Sequence, residues 1–229
     1  MEHVLEIPLG VRHLRLSGDL AMPEDAPGLV VFVHGSGSSR HSPRNRYVAG
    51  VLQRQGLATL LVDLLTSDEE LIDERTGQFR FDIKMLAERL VIMIDWLRGR
   101  RDTAALPFGL FGASTGAGAA LVAAAARSHD VAAVVSRGGR PDLAGVALSR
   151  VTAPTLLIVG GLDAPVIKMN RDAMAQMQGD VTLEIVRGAT HLFEEPDALR
   201  RVAELAADWF SEHLVPVHRG SISAAPFIG

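Results

Sequence analysis

Gly112-Ala113-Ser114-Thr115-Gly116 is a stretch whose residue types and spacing could carry covalent chemistry. An apolar run, Leu106 to Phe111, precedes it and reads as a buried strand. Ala119 to Ala126 follows and is built of strong helix formers. Strand, tight turn and helix together give G-x-S-x-G the context of a nucleophile elbow. The turn strains the serine backbone and pushes its hydroxyl out at the carboxyl end of the strand. Gly112 and Gly116 leave room for neighbouring backbone, since they lack a Cβ. The helix starting at Ser114 aims free N–H groups and a partial positive charge at the reacting atom.

A serine hydroxyl is a poor nucleophile at neutral pH. It needs a base to take its proton, and the base needs a carboxylate to fix its tautomer. Gly160-Gly161-Leu162-Asp163 and Gly188-Ala189-Thr190-His191 supply candidates for both. Asp163 has a second reading, as N-cap of a helix beginning at Pro165, and His191 has one as a capping or core histidine. The tetrahedral intermediate would carry an oxyanion, which needs preorganised donors. Thr115 N–H is one candidate. Ser36 N–H, in the small-residue loop His34 to Ser39, is the other, with Gly37 as its alternative. His34 reads as structural, holding that loop through its ring. Arg40, Arg137 and Arg140 could face the pocket and pair with a substrate carboxylate. Alternatively they bond loop carbonyls or surface acids such as Asp142. Glu69 and Glu70 read as a solvated acidic face.

These residues need a frame. Val4 to Leu9 and Val11 to Met22 read as two strands joined at Gly10. Strands follow at Leu29–Val33, Leu57–Asp63, Leu106–Phe111, Val131–Val135, Pro154–Val159 and Val181–Val186. Helical patterns fall at Pro43 to Gln55, capped by Ser42, and at Phe81–Leu97, Val166–Met177 and Pro196–Leu214. Thr66 to Gln78 reads as acidic and irregular, with at most one short turn of helix. Alternation of strand and helix predicts an α/β fold: one domain over residues 1–214, a mostly parallel sheet of about eight strands, helices on both faces and no large lid. In such sheets ligands bind at the carboxyl ends of the strands. Ser114, Asp163, His191 and the His34 loop all fall just after predicted strands. Residues 215–229 read as a loosely held tail or extended arm, whose Pro226-Phe227-Ile228 could make a homodimer contact.

The composition narrows the classes of function. Apolar residues are 48% of the 229 and charged residues 22%, which indicates a soluble globular chain rather than a disordered one. The net charge is −4 with scattered basic residues, so no nucleic-acid footprint is present. With no cysteine, disulfides, thiolate metal sites and a cysteine nucleophile are excluded. The histidines lack a metal-ligand spacing such as H-E-x-x-H, so no metal is expected. No secretory leader or membrane-length apolar run is legible, and a cytoplasmic location without membrane attachment is the resulting expectation.

His34-Gly35-Ser36-Gly37-Ser38-Ser39-Arg40, Gly112 to Gly116, Gly160 to Asp163 and Ala189-Thr190-His191-Leu192-Phe193 together resemble the dienelactone-hydrolase-like branch of the α/β-hydrolases. The order Ser114, Asp163, His191 matches that superfamily's Ser…Asp…His layout. The resemblance covers roughly residues 12 to 214. It implies a compact hydrolase without metal or organic cofactor, in which Ser114 is nucleophile, Asp163 orienting acid and His191 general base. Dienelactone hydrolases proper use a cysteine at the nucleophile position, and Ser114 shifts the expectation toward a carboxylester hydrolase acting on small, water-soluble esters or lactones. An acyltransferase or perhydrolase on the same triad, or a non-catalytic small-molecule-binding scaffold, are the alternatives.

Overall fold

The structure, a computed structural model, describes residues 2–10 and 14–215. The arm and dimer contact expected beyond Val215 lie outside the described residues. The strands are β1 (Glu2–Pro8), β2 (Arg15–Ala21), β3 (Leu29–Val33), β4 (Ala58–Val62), β5 (Phe108–Ala113), β6 (Val131–Arg137), β7 (Thr155–Gly160) and β8 (Val181–Val186). The helices are α1 (Pro43–Arg54), α2 (Ser67–Thr76), α3 (Ile83–Arg98), α4 (Thr115–Ala126), α5 (Ala164–Met174) and α6 (Ala198–His213). A 3₁₀ segment, Pro141–Arg150, follows β6 where larger folds insert a lid, and it packs on α4 and α5.

The strands form one sheet in the order β1-β2-β4-β3-β5-β6-β7-β8. β2 is antiparallel to both β1 and β4, while β4, β3, β5, β6, β7 and β8 run parallel. The expected single-domain, mostly parallel architecture is therefore observed. Its carboxyl edge carries the loops that follow β3, β5, β6, β7 and β8. Ser114, Asp163 and His191 sit on three of them.

Each face of the sheet has its own core. Phe108 and Leu110 of β5 pack with α3 and α4, while Phe111 packs with α1 and α6. This is the period-two alternation of a strand buried on both sides. Phe32 and Phe111 stack with ring centroids 4.7 Å apart. Gly109 is glycine because α6 is close: a Cβ there would lie 2.6 Å from Phe210 Cε1. α4 is almost uniformly small and apolar and is buried nearly all round. Its small side chains let it dock tightly, since a Cβ on Gly116 would lie 2.4 Å from Val33 O and 2.5 Å from His34 O.

The segment after β4 departs from the sequence reading. Residues 67–76 form a ten-residue helix rather than an irregular stretch. Thr66 and Glu69 make a capping box, and Gly77 closes the far end in the left-handed region at φ 66°. Helical periodicity missed α2 because it buries little: Asp73 is its buried residue. The Thr66-x-x-Glu69 spacing and Gly77 were the signals available. Glu69 is also not a solvated charge. Its Oε2 accepts from buried Arg89 Nη1 at 2.6 Å.

Candidate active site

Ser114 joins β5 to α4 with φ 51° and ψ −123°, a conformation that residues with a Cβ rarely adopt. Surrounding backbone holds it there. Ser114 N–H donates to Arg137 O at 3.2 Å, and Ser114 O accepts from Ala117 N–H at 3.1 Å and Arg140 N–H at 3.0 Å. The loop after β3 passes directly over it: a Cβ on Gly35 would lie 2.9 Å from Ser114 Cβ. Ser114 thus sits in the strained turn that the G-x-S-x-G pattern implied, and its side chain makes no capping bond to α4.

Asp163 occupies the N-cap position of α5 yet does not cap it. Its carboxylate is spent on His191, with Nδ1 2.7 Å from Asp163 Oδ2. The capping alternative is thereby set aside. An ionised carboxylate at that distance keeps the proton on Nδ1 and leaves Nε2 as the basic nitrogen. The loops bearing the pair are pressed together. Leu162 N–H donates to Ala189 O at 2.9 Å, and a Cβ on Gly160 would lie 2.4 Å from Thr190 O. Glu195, which the sequence reading did not single out, fixes the turn by accepting Thr190 N–H at 3.0 Å. The imidazole lies against Gly138, where a Cβ would be 3.5 Å from His191 Cε1. Gly138 follows Arg137, whose carbonyl anchors Ser114, so Ser114 and His191 share one strand end. Ser114 Oγ makes no hydrogen bond among the described residues. Catalytic hydrogen bonds often tighten only once substrate is bound.

The β3 loop reaches Thr115 through side-chain chemistry. Ser36 N–H donates to Thr115 Oγ1 at 2.9 Å, the two hydroxyls are 2.9 Å apart, and Ser36 Oγ donates to Arg80 O at 3.3 Å. Ser36 is therefore where the sequence placed it, but its N–H is occupied rather than free. Thr115 N–H opens α4 and has no intrahelical acceptor. His34 holds its own loop, with Nδ1 2.9 Å from Gly35 O and Nε2 3.5 Å from Asp63 Oδ1.

A cavity of about 270 Å³ opens beside Ser36 and Thr115. Leu65 and Leu86 give it apolar walls, Glu70 of α2 faces it, and Arg80 closes one side. Arg80 is locked by buried Asp73, which accepts from Phe79 N–H at 2.7 Å, Arg80 N–H at 3.0 Å and Arg80 Nε at 2.6 Å. Burial alone would raise the Asp73 pKa, but these bonds hold it below the ordinary carboxylate range. Neither Asp73 nor Arg80 was legible as part of the site. Asp73 belongs to the helix that the periodicity missed, and Arg80 to the turn that follows it.

The three arginines part ways. Arg40 does not face the site. It ties the β3 loop to the end of β4 through Asp63, with Arg40 N–H 2.6 Å from Asp63 Oδ1 and its Nη1 on Oδ2, and its Nε reaches Asp19. Arg140 pairs with Asp142 at 2.8 Å, the alternative its sequence context offered. Arg137 is buried, and its guanidinium makes no hydrogen bond or ion pair among the described residues. Burial, and next the charge of Arg44, push its pKa down to about 10, so it stays a cation at neutral pH. Among the described residues there is no helix long and apolar enough to cross a membrane and no cluster of three or more histidine and carboxylate side chains that could hold a metal ion.

Comparison with known proteins bears on the fold and the family. Two Mycobacterium tuberculosis proteins, from strains CDC 1551 / Oshkosh and ATCC 25618 / H37Rv, are each 60% identical over 199 residues and carry the name "Putative phosphoribosyl transferase". The match takes in 87% of this chain but 44% of theirs, so the chain spans less than half the length of these curated relatives. The crystal structure of a dienelactone hydrolase from Anabaena variabilis ATCC 29413 superposes with a TM-score of 0.91 at 60% identity, covering 93% of this chain and 98% of that one. Est1E from Butyrivibrio proteoclasticus shares the fold at 16% identity, with a TM-score of 0.75 over 92% of this chain and 98% of its own. The model of the dienelactone hydrolase family matches residues 16–214, and the chain belongs to that family.

Proposed function

We propose that this protein hydrolyses small carboxylic esters or lactones through an acyl-enzyme intermediate. Ser114 Oγ attacks the carbonyl carbon while His191 Nε2 takes its proton. Asp163 stabilises the imidazolium that forms. The oxyanion is met by Thr115 N–H and by a second donor from the β3 loop. That donor is Ser36 N–H if the Thr115 hydroxyl gives it up on substrate binding, and Gly37 N–H otherwise. Collapse of the intermediate breaks the ester C–O bond, and His191 protonates the leaving alcohol. Water, deprotonated by His191, then releases the acid and restores Ser114.

One observation carries the reading: a serine strained to φ 51° at the carboxyl end of β5, on the same edge as a 2.7 Å Asp163–His191 pair that leaves Nε2 basic. The cavity of about 270 Å³ favours a small acyl or alcohol group. The phosphoribosyl transferase name belongs to proteins of which this chain matches 44% of the length, and that transfer has no call for an Asp–His pair beside a strained serine. The test is turnover of short-chain aryl esters and lactones by the wild type and Ser114→Ala. Wild-type turnover that disappears in a folded Ser114→Ala supports the reading. Turnover retained by that variant removes it.

A further inference from the structure

Thr115 N–H and Ser36 N–H are backbone donors that could meet an oxyanion at the Ser114 turn, and the Thr115 side chain has claimed one of them. Ser36 N–H donates to Thr115 Oγ1 at 2.9 Å, and Ser36 Oγ lies 2.9 Å from the same oxygen. Ser36 Oγ also lies 3.3 Å from Arg80 O. A hydroxyl has one proton and two lone pairs. A carbonyl oxygen only accepts, so Ser36 O–H donates to Arg80 O and Thr115 O–H donates to Ser36 Oγ. The far end of this chain is fixed, because Asp73 holds Arg80 through its N–H at 3.0 Å and its Nε at 2.6 Å. The near end is fixed as well: Thr115 opens α4 directly after Ser114 and is buried.

The chain of bonds can reverse without moving a heavy atom. When Thr115 O–H turns away from Ser36, the Ser36 hydroxyl can turn from Arg80 O, at 3.3 Å, to Thr115 Oγ1, at 2.9 Å. Both lone pairs of Thr115 Oγ1 are then filled, by Ser36 N–H and by Ser36 O–H, and its own proton is free to be donated elsewhere. Accepting two bonds polarises that O–H and strengthens it as a donor. The N–H and O–H of one threonine are separated by three bonds and can converge on a single acceptor atom. Thr115 and Ser36 both line the cavity of about 270 Å³. The loop that carries Ser36 passes over Ser114, where a Cβ on Gly35 would lie 2.9 Å from Ser114 Cβ and 3.6 Å from Ser114 Oγ.

We propose that the Thr115 hydroxyl is an oxyanion donor, acting beside Thr115 N–H while Ser36 N–H stays on Thr115 Oγ1 throughout the reaction. The assignment rests on the ester-hydrolase reading and adds a catalytic side chain to it. The β3 loop then contributes in two ways. Ser36 acts through the Thr115 hydroxyl. Gly37 N–H, which makes no hydrogen bond among the described residues, is left to meet the substrate directly. The opposite role for Thr115 is a plug, whose hydroxyl withholds Ser36 N–H from the substrate. The two roles give opposite signs when the hydroxyl is removed.

The test is the kinetics of para-nitrophenyl acetate hydrolysis by the wild type, Thr115→Ser, Thr115→Val and Thr115→Ala, each checked for fold by circular dichroism. Loss of one oxyanion donor costs about 10²–10³ in turnover. Thr115→Val and Thr115→Ala therefore lower kcat by at least about tenfold at unchanged KM, because the donor meets charge that exists only in the transition state. Thr115→Ser keeps the hydroxyl and restores kcat to within about tenfold of the wild type. Thr115→Val keeps the side-chain shape but sets a methyl against Ser36 N–H. Should it fail to fold, Thr115→Ala, a better helix former, decides. A plug predicts the reverse: Thr115→Ala releases Ser36 N–H and is as fast as the wild type or faster. That result overturns the assignment, as does a Thr115→Ser variant as slow as Thr115→Ala, or a rise in KM at unchanged kcat. A wild type that turns over no ester removes the hydrolase reading and the assignment with it, whereas equal turnover by the wild type and Thr115→Ala removes the assignment alone.

Discussion

Ser114→Gly is a sharp probe of the elbow, because the account makes it inactive yet more stable than Ser114→Ala. Ser114 is held at φ 51° and ψ −123°. Such a conformation costs a residue with a Cβ about 1–3 kcal/mol. Alanine keeps that cost and glycine sheds it. Glycine in turn loses about 0.4–1 kcal/mol by loosening the unfolded chain. No capping bond is lost either way, because the Ser114 side chain makes none. The net advantage of Ser114→Gly over Ser114→Ala is about 1 kcal/mol. For a chain of this size that is a rise of about 2–4 °C in melting temperature. The assay is urea and thermal unfolding of both variants, followed by circular dichroism. Gly116→Ala supplies the opposite sign, since its Cβ would meet Val33 O at 2.4 Å and backbone cannot yield. Overpacking of that kind costs about 1–3 kcal/mol. A Ser114→Gly variant that melts at or below Ser114→Ala refutes the strained elbow.

Three further outcomes follow from particular contacts. Asp163→Asn lowers ester turnover by about 10⁴ through the wrong imidazole tautomer, and its unfolding free energy stays within about 0.5 kcal/mol of the wild type, because Asp163 caps nothing. Asp73→Ala costs about 3 kcal/mol in urea unfolding, since it strands Arg80 and two backbone donors. Glu69 and Asp73 have pKa values below the ordinary carboxylate range, in each case because bonds to arginine and backbone N–H outweigh burial. Their stabilisation is complete above an unfolded pKa of about 4 and is lost as pH falls through the lower folded values. Hydrogen-exchange protection of residues 67–82, corrected for the intrinsic rate at each pH, therefore falls from pH 6 to pH 3 more than protection in β5 does.

What the sequence disclosed followed from the parallel sheet. Ser114, Asp163 and His191 lie far apart in the chain, but each follows an apolar run, and strands running in one direction bring their carboxyl ends to one edge. Ser42-Pro43 announced α1 by local chemistry, and the structure shows Ser42 Oγ capping Asn45 N–H. α2 was hidden because its ends are set by the Thr66–Glu69 box and Gly77 rather than by an apolar stripe. The arginines were hidden for another reason. Arg40 finds Asp63, 23 residues away, through the pairing of β3 with β4, and no spacing rule reports such a contact. Arg137 gave no sign of burial, because it ends a strand whose neighbours alternate faces. Ser36 shows a limit of motif reasoning as well: its position beside the Ser114 turn was legible, whereas the capture of its N–H by Thr115 was not.

The central claim is that Ser114 is activated by His191. Intact-mass spectrometry after incubation with a small fluorophosphonate, on the wild type, Ser114→Ala and His191→Ala, tests it most directly. The account predicts a single adduct on the wild type, mapped to Ser114 and absent from both variants. A folded wild type that takes no adduct, or an adduct that persists in His191→Ala at the wild-type rate, contradicts it.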